Sequence, residues 1–323
     1  SEITARYKAR LLQGDSLTDL TGGFGIDCSF LATGFKSATY VERQEELCEI
    51  AAHNFPVLNL NHINIKNEDG VTYLQVMSPV DCLFLDPARR NEHGGKTVAI
   101  SDCEPNVAEL EELLLQKANR VMIKLSPMLD LSLALKELKQ TQEVHILSVN
   151  NECKELLILL GQTSPAEISI HCVNLFTKGT QKEQHFVFTR EQEQCSECTY
   201  TDSLETYLYE PNASLLKAGA FRSIAAAYPV RKLHPNSHLY TSDTFIENFP
   251  GRIFRIVNQC SFNKKEVKEN LADLKKANVT VRNFPATVAE LRKRIHLAEG
   301  GDTYLFASTL NNGQKVLIRC EKV

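Results

Sequence analysis

The sequence predicts an α/β fold: a mostly parallel sheet with helices on both faces and an antiparallel hairpin at one edge, followed by a small α+β domain. Three observations lead to this prediction. Short runs rich in Val, Ile and Leu alternate with segments of helical periodicity over residues 16–149, which is typical of parallel sheets. Two strand-like runs then follow each other without a long helix between them, and after residue 203 the order of elements changes.

Six short runs rich in aliphatic residues form the predicted parallel sheet. They are residues 16–20, 38–42, 62–67, 81–86, 120–125 and 144–149. Between them, apolar residues recur at helical spacing in residues 27–35, 43–55, 69–77, 104–118 and 130–140. Helices of this kind connect parallel strands and cover the faces of the sheet.

The edge hairpin is predicted from residues 167–176 and 183–189, which the turn-like "TKGTQK" joins. These runs follow "NECKELLILLG" (151–161), to which we assign no element. The polar stretch 190–203 is predicted to be a linker at a domain boundary.

The part of the chain after this stretch has a different character. Pro211 and Asn212 predict the start of a helix with an Ala-rich body, followed by loops. From Gly251 the pattern is strand, helix, strand, helix, strand, strand. Such an order predicts a compact α+β domain.

Composition limits the class of protein. The 323 residues are 43% hydrophobic, enough for a sizeable core, and with a net charge of -4 any nucleic-acid contact would need a local basic patch. No apolar run is long enough to cross a membrane and the N-terminus is charged, so we expect a cytoplasmic protein without a membrane partner. The chain does not begin with Met, which is consistent with a further N-terminal segment. The sequence indicates no oligomeric state.

The ten cysteines indicate core packing rather than metal binding. Most lie singly in apolar segments, as expected for reduced thiols in a chain of this size. Only Cys195 and Cys198 form a CxxC pair. One such pair without further ligands does not define a zinc site, so we predict no metal.

The first strand leads into a glycine-rich turn, "LTDLTGGFGIDCSFLA". Gly22, Gly23 and Gly25 follow Thr21, and glycine lets the backbone approach a ligand closely because it has no Cβ. The position of this turn at the carboxyl end of the sheet predicts a site for a nucleotide-sized cofactor.

Two cofactor classes compete for this turn. A dinucleotide site uses G-x-G-x-x-G and places the pyrophosphate on the helix N-terminus, whereas here the spacing is G-G-x-G and Asp27 in the first helical turn would repel a phosphate. Asp19, before the glycines, suits a ligand with an ammonium group, which S-adenosylmethionine has. Charge therefore favours S-adenosylmethionine.

Two more acidic residues follow at the ends of strands. Glu42 can accept hydrogen bonds from both ribose hydroxyls, as in sites of either cofactor class. Asp69 would meet the adenine amino group, or it caps the following helix, a common role for Asp. Taken in order with the glycine turn, the two carboxylates indicate a nucleoside site.

The fourth strand ends in "LDPARR", residues 85–90. Together with "DLTGGFG" and "VE", this motif resembles the class I S-adenosylmethionine-dependent methyltransferases over about residues 15–190. "YLYEPNASLLKAGAF" and "FPATVAELRKRIHLAEGGDTYLFAST" resemble a bacterial group of these enzymes with two further C-terminal parts. The resemblance implies S-adenosylmethionine as cofactor. It also implies a Rossmann-like methyltransferase domain at residues 1–195, a ferredoxin-like connecting segment at 196–248 and a THUMP-like α+β domain at 249–323.

The same resemblance implies roles at the Asp-Pro motif. In amine-directed members, the acid and a following carbonyl accept hydrogen bonds from the amino group, and an aromatic residue stacks on the base. Asp86 and Pro87 match this pattern, whereas Arg89 stands in place of the aromatic residue. A guanidinium can stack on a base or bind a phosphate. For Arg90, a substrate contact and a salt bridge to an acidic neighbour both stay open.

Further substrate contacts are predicted in two places. "IKLSPMLD" (123–130) places Ser126 at the rim of the same crevice, or in a turn before a helix that Asp130 caps. Arg292 and Arg294 lie on a predicted C-terminal helix, as a solvated face or as phosphate contacts. Because THUMP domains accompany RNA-modifying enzymes, the resemblance implies a tRNA or rRNA substrate.

Three functions are compatible with these residues. The leading hypothesis is methylation of a base nitrogen in RNA. The second is methylation of a protein or small molecule, and the third is an RNA-binding module that keeps the cofactor fold without turnover.

Overall fold

The structure, a computed structural model, describes residues 1–89, 99–163 and 165–323, with only the backbone of Arg89. Arg90 therefore lies outside the described residues. The chain divides into two compact units, Ser1–Arg190 and Glu191–Val323. Among the described helices, none is both long and apolar enough to cross a membrane.

The first unit is built on a nine-stranded mixed sheet. The strands of this unit are β1 (Ser16–Asp19), β2 (Ser37–Glu42), β3 (Ile63–Asn67), β4 (Val80–Leu85), β5 (Ala88–Arg89), β6 (Cys103–Glu104), β7 (Ala118–Leu125), β8 (Thr141–Val149), β9 (Glu152–Gly161), β10 (Ser169–Leu175) and β11 (Glu183–Thr189). The order in the sheet is β11-β10-β8-β9-β7-β4-β1-β2-β3, and β5 and β6 form a separate antiparallel pair.

The strand pairing confirms the predicted mostly parallel sheet. β1 is parallel to β2 and β4, β2 is parallel to β3, and β4 is parallel to β7. The carboxyl ends of these strands therefore lie at one edge of the sheet. The antiparallel hairpin of β10 and β11 lies at the end of the strand order, as predicted.

Residues 152–161, for which the sequence predicts no element, form β9. This strand lies between β7 and β8 and is antiparallel to both. Residues 156–160 of β9 are all fully buried. A strand buried on both faces shows no alternation, so its apolar run does not distinguish a strand from a helix.

Five of the helices described in the first unit occupy the predicted segments, whereas the N-terminal helix at residues 2–9 was not predicted. The helices are α1 (Glu2–Ala9), α2 (Ile26–Leu31), α3 (Glu45–Val57), α4 (Gly70–Val76), α5 (Val107–Lys117) and α6 (Leu131–Glu137). In the core, Tyr7 and Leu31 pack with Phe84 and Met122 of the sheet. Short turns connect β1 to α2 and β3 to α4, so the N-terminal ends of both helices lie next to the strand ends that form the site.

The two units divide at the start of the polar stretch predicted as a linker, but residues 190–195 of that stretch form the helix α7 (Arg190–Cys195). Glu193 in this helix accepts hydrogen bonds from the backbone N–H groups of Phe221, Arg222 and Ser223 at 3.0, 2.8 and 2.9 Å. A carboxylate at the start of a helix satisfies amides that lack an intrahelical partner. These contacts lie within the second unit and hold residues 191–195 against the segment that begins at Phe221.

The second unit contains a seven-stranded sheet. Its elements are β12 (Tyr207–Pro211), α8 (Ala213–Ala218), α9 (Phe221–Ala227), β13 (Arg231–Lys232), β14 (Tyr240–Ser242), β15 (Gly251–Ser261), α10 (Lys264–Leu271), β16 (Asn278–Val281), α11 (Val288–Ile295), β17 (Thr303–Thr309) and β18 (Lys315–Lys322). The order of the strands in the sheet is β13-β14-β12-β15-β18-β17-β16. The order predicted from Gly251 is confirmed. The helix predicted after Asn212 ends early, because Gly219 adopts a φ of 76° and α9 then begins anew.

Candidate functional site

A cavity of about 510 Å³ lies at the carboxyl ends of β1, β2 and β4. Five residues that the sequence predicts as site residues line it: Thr21, Gly23, Glu42, Asp69 and Asp86. Ligands of open α/β sheets bind at this edge. The fold therefore brings together residues that are up to 65 positions apart in the chain.

The glycine turn is fixed to the end of β2. The N–H of Gly22 donates to the carbonyl of Val41 at 2.9 Å, and the carbonyl of Gly23 accepts from the Tyr40 hydroxyl. A Cβ added at Gly22 would lie 2.2 Å from the Tyr40 ring, and Gly23 has a φ of +54°. Glycine is required at both positions, at the first by space and at the second by backbone conformation.

Glu42 joins the turn to the cavity wall. Its Oε2 accepts from the N–H of Gly23 at 2.8 Å and its Oε1 from the N–H of Gln44 at 2.9 Å. The residue is only 8% exposed. Each carboxylate oxygen retains a second lone pair that a ligand hydroxyl can use.

Asp69 caps α4. Its Oδ1 accepts from the N–H groups of Val71 and Thr72, both at 3.0 Å. The capping alternative is therefore present in the structure. Asp69 also lines the cavity, so its capping role leaves room for a ligand contact. Its contact with an adenine stays a prediction.

Asp19 is a buried carboxyl beside the turn, with 1% exposure, and its Oδ1 accepts from the N–H of Thr21 at 3.0 Å. Burial raises the pKa of Asp19 to about 7, although the hydrogen bond from Thr21 opposes this rise. The negative charges of Asp27 and Asp86 raise it further. A cation bound near Asp19 would favour its ionised form.

Asp27 and Asp86 belong to a chain of ion pairs. The Nζ of Lys124 lies 2.5 Å from Asp86 Oδ2 and 2.8 Å from Asp27 Oδ2. The Nζ of Lys8 lies 2.9 Å from Asp27 Oδ1 and 2.6 Å from Glu155 Oε2. Asp27 is therefore held by two cations and is not among the residues that line the cavity. Its contact with a cofactor stays a prediction.

These pairs set the charges at the site. Burial raises the pKa of Asp86, and Lys124 opposes that rise. Burial also acts to raise the pKa of Asp27, but Lys8 and Lys124 outweigh it and the pKa lies below its usual range. Burial disfavours the charge on Lys124, yet Asp86 and Asp27 raise the pKa of this ammonium. Lys124 is therefore protonated and does not serve as a base at neutral pH.

The Asp-Pro motif is tied to the glycine turn by its backbone. The N–H of Asp86 donates to the Oγ1 of Thr21 at 2.6 Å, and Pro87 is buried. The next two residues pair with β6, Ala88 opposite Glu104 and Arg89 opposite Cys103. The Arg89 side chain lies outside the described part of the chain.

Three predicted substrate contacts are not among the residues that line the cavity. The Oγ of Ser126 accepts from the N–H of Met128 at 3.2 Å, in the turn before α6. Arg292 pairs with Glu299 at 2.9 Å. The guanidinium of Arg294 lies 4.0 Å from the centre of the Phe262 ring. Arg292 and Arg294 belong to the second unit.

Sequence reasoning missed the outer wall of the cavity and the two lysines of the ion chain. Arg43 and Glu104 line the cavity and pair with each other at 3.2 Å. Asn106 and Glu109 extend this wall. No local sequence motif indicates that these residues belong to the site. Lys124 does lie in the "IKLSPMLD" segment from which Ser126 was predicted as a substrate contact.

Comparison with known proteins gives matches over both units. Family models for a ferredoxin-like domain and for a THUMP domain-like region match residues 207–250 and 251–322. A crystal structure of a candidate methyltransferase from Porphyromonas gingivalis W83 has 37% sequence identity and a TM-score of 0.90. The match covers 100% of this chain and 81% of that chain. No curated protein matches the chain.

Two further solved structures match about half of the chain. One is a candidate methyltransferase from Streptococcus mutans in complex with SAH, with 14% identity, a TM-score of 0.35, and coverage of 50% of this chain and 96% of that chain. The other is M. capricolum TrmK in complex with S-adenosyl-homocysteine, with 12% identity, a TM-score of 0.39, and coverage of 50% and 68%. Likenesses this distant support no argument about this chain.

The likeness to the Porphyromonas gingivalis protein extends over the whole chain and includes both units. Within this chain, the glycine turn, the acidic strand end and the Asp-Pro motif contribute residues to one cavity. This arrangement is consistent with a methyltransferase. The chain therefore belongs to the class I S-adenosylmethionine-dependent methyltransferase family, in the bacterial group with a C-terminal ferredoxin-like segment and a THUMP-like domain.

Proposed function

We propose that the protein transfers a methyl group from S-adenosylmethionine to a base nitrogen of tRNA or rRNA. The proposal rests on the convergence of the glycine turn, Glu42, Asp69 and Asp86 on one cavity. Its volume of about 510 Å³ lies in the range of small-molecule sites.

The residues of the cavity fit this cofactor. Glu42 would accept hydrogen bonds from the ribose hydroxyls, and Asp69 would accept one from the adenine amino group. Gly23 would lie against the ligand without a Cβ, Gly22 would keep the turn close to Tyr40, and ionised Asp19 would offset the ammonium charge. The bound cofactor would supply an electrophilic methyl group on its sulfonium.

Asp86 would orient the methyl acceptor. Lys124 binds Oδ2 of Asp86, so Oδ1 would accept the N–H of the acceptor. Pro87 has no N–H to compete for that position. Arg89 would stack on the base or bind a phosphate, and Arg90 and Ser126 would add further contacts with the substrate.

The RNA part of the proposal is supported by the match of residues 251–322 to a THUMP domain-like model. Lys293 and Arg294 are exposed on α11 and would contact phosphates. Arg292 would contact a phosphate only if its ion pair with Glu299 were broken. Binding through such contacts weakens as salt increases.

The proposal is tested by transfer of labelled methyl from S-adenosylmethionine to total RNA of a strain that lacks the gene. We expect label in RNA with the wild-type chain and with Asp202→Ala, an exposed control, and none with Asp86→Ala. Label only in protein or in small molecules would show that the RNA assignment is wrong. Cofactor binding without label in any fraction would identify a binding module.

A further inference from the structure

A group of ligating side chains lies outside the candidate active site, on β8 and β10 of the first unit. Glu143 and His145 are two positions apart on β8 and share a face, and His171 is the register partner of His145 on β10. One ligand atom of each of these three residues lies within 4.8 Å of the others. His145 is 2% exposed, so water has little access to this end of the group.

Two of these ligand atoms face each other, and both of their side chains have a further hydrogen-bond partner. Glu143 Oε2 lies 3.2 Å from His145 Nε2. Arg120 donates to the other carboxylate oxygen of Glu143 at 3.0 Å, and the Tyr7 hydroxyl lies 2.8 Å from His145 Nδ1. Partners of this kind orient metal ligands and determine which ring nitrogen is available.

A further imidazole lies beside the group. The Nε2 of His185 on β11 is 3.1 Å from the Nδ1 of His171. The two imidazoles therefore approach each other closely enough for both to bind one ion.

We infer that Glu143, His145 and His171 form a site for a divalent transition metal of the Zn²⁺ type, and that His185 completes its coordination. Imidazole nitrogens and one carboxylate oxygen are ligands that Zn²⁺ prefers. The sequence predicted no metal, because only the cysteine pair at Cys195 and Cys198 was weighed as a candidate site. The inferred site uses other residues.

Binding requires a small movement of one ring. Bonds of about 2.0–2.1 Å to a tetrahedral ion place ligand atoms about 3.3 Å apart. The rings of His145 and His171 instead stack, with centres 4.3 Å apart and planes 16° apart. The ring of His171, which is only partly buried, would turn about its Cβ–Cγ bond to direct a nitrogen at the ion. The bound ion would then link β8 to β10 and, through Tyr7, to α1.

The test uses the full chain after removal of metals by a chelator. Calorimetry with ZnCl2 is expected to show one equivalent bound, with affinity reduced at least about tenfold in His171→Asn and in Glu143→Gln. The double variant Cys195→Ser, Cys198→Ser is expected to bind as the wild type does. CoCl2 is expected to give a visible spectrum without the charge-transfer band of thiolate ligands.

A thermal readout is independent of these titrations. Zn²⁺ is expected to raise the Tm of the wild type and of the cysteine variant but not that of His171→Asn. Absence of binding by the wild type, unchanged binding by His171→Asn, or loss of binding in the cysteine variant would overturn the inference. If Glu143→Gln does not fold, the partly exposed His171→Asn decides the result.

Discussion

Lys124 is the cation on which the Asp-Pro motif depends, so its removal tests the description of the site. Lys124→Met leaves Asp86 without its partner and Asp27 with Lys8 alone. Removing one member of a buried ion pair costs about 3–5 kcal/mol. Because the side chains of Lys124 and Asp86 are 21% and 42% exposed, we expect a loss of about 2–3 kcal/mol in the free energy of unfolding.

The loss is measured by urea unfolding at neutral pH with linear extrapolation. Lys154→Met is the matched control, since Lys154 pairs with Glu152, whose side chain is 72% exposed, and its effect should stay within about 0.5 kcal/mol. The deficit of Lys124→Met should shrink as the pH falls toward about 4, because the carboxyls left in the native state then take up protons. A loss no larger than that of the control, at every pH, would refute the reasoning.

Three further predictions concern other parts of the chain. The pKa of Asp19 is raised to about 7, so the native state keeps a proton that the unfolded chain loses near pH 4. The free energy of unfolding should therefore fall as the pH rises through this window. Asp19→Asn should remove that pH dependence in urea titrations, and an unchanged dependence would contradict the burial argument. Gly22→Ala should cost about 2–3 kcal/mol because its Cβ meets a tyrosine ring, whereas Gly34→Ala, with open space around it, should have little effect on thermal unfolding. Glu210 is 1% exposed and pairs with two arginines, so Glu210→Gln should lower the stability of the second unit by about 3 kcal/mol; the exposed Glu321→Gln serves as its control, and equal effects of the two changes would argue against the buried pairing.

The parallel strands could be predicted because each one is a short aliphatic run between segments of helical periodicity. The strand formed by residues 152–161 could not, since its core is continuously apolar and gives no period. The early end of the helix after Asn212 has a visible cause, Gly219 in the left-handed region. The α7 helix could not be predicted, because it lies in a polar stretch without apolar periodicity. The residues that Glu193 of this helix contacts lie 28 to 30 positions later in the chain.

The candidate site was predictable where a residue follows a strand. Thr21, Gly23, Glu42, Asp69 and Asp86 all lie at or just after a strand end, and the parallel sheet brings these ends together. The ion partners were not predictable in this way. Lys124 is 97 residues from Asp27, and pairing over that separation depends on the tertiary fold.

The central claim, a site for S-adenosylmethionine, is tested most directly by calorimetric titration of the full chain with S-adenosylmethionine and with NAD. We predict one equivalent of S-adenosylmethionine bound, no heat with NAD, an affinity at least about tenfold lower in Glu42→Gln, and unchanged binding in the exposed control Glu49→Gln. A folded wild-type chain that binds NAD and not S-adenosylmethionine would contradict the account.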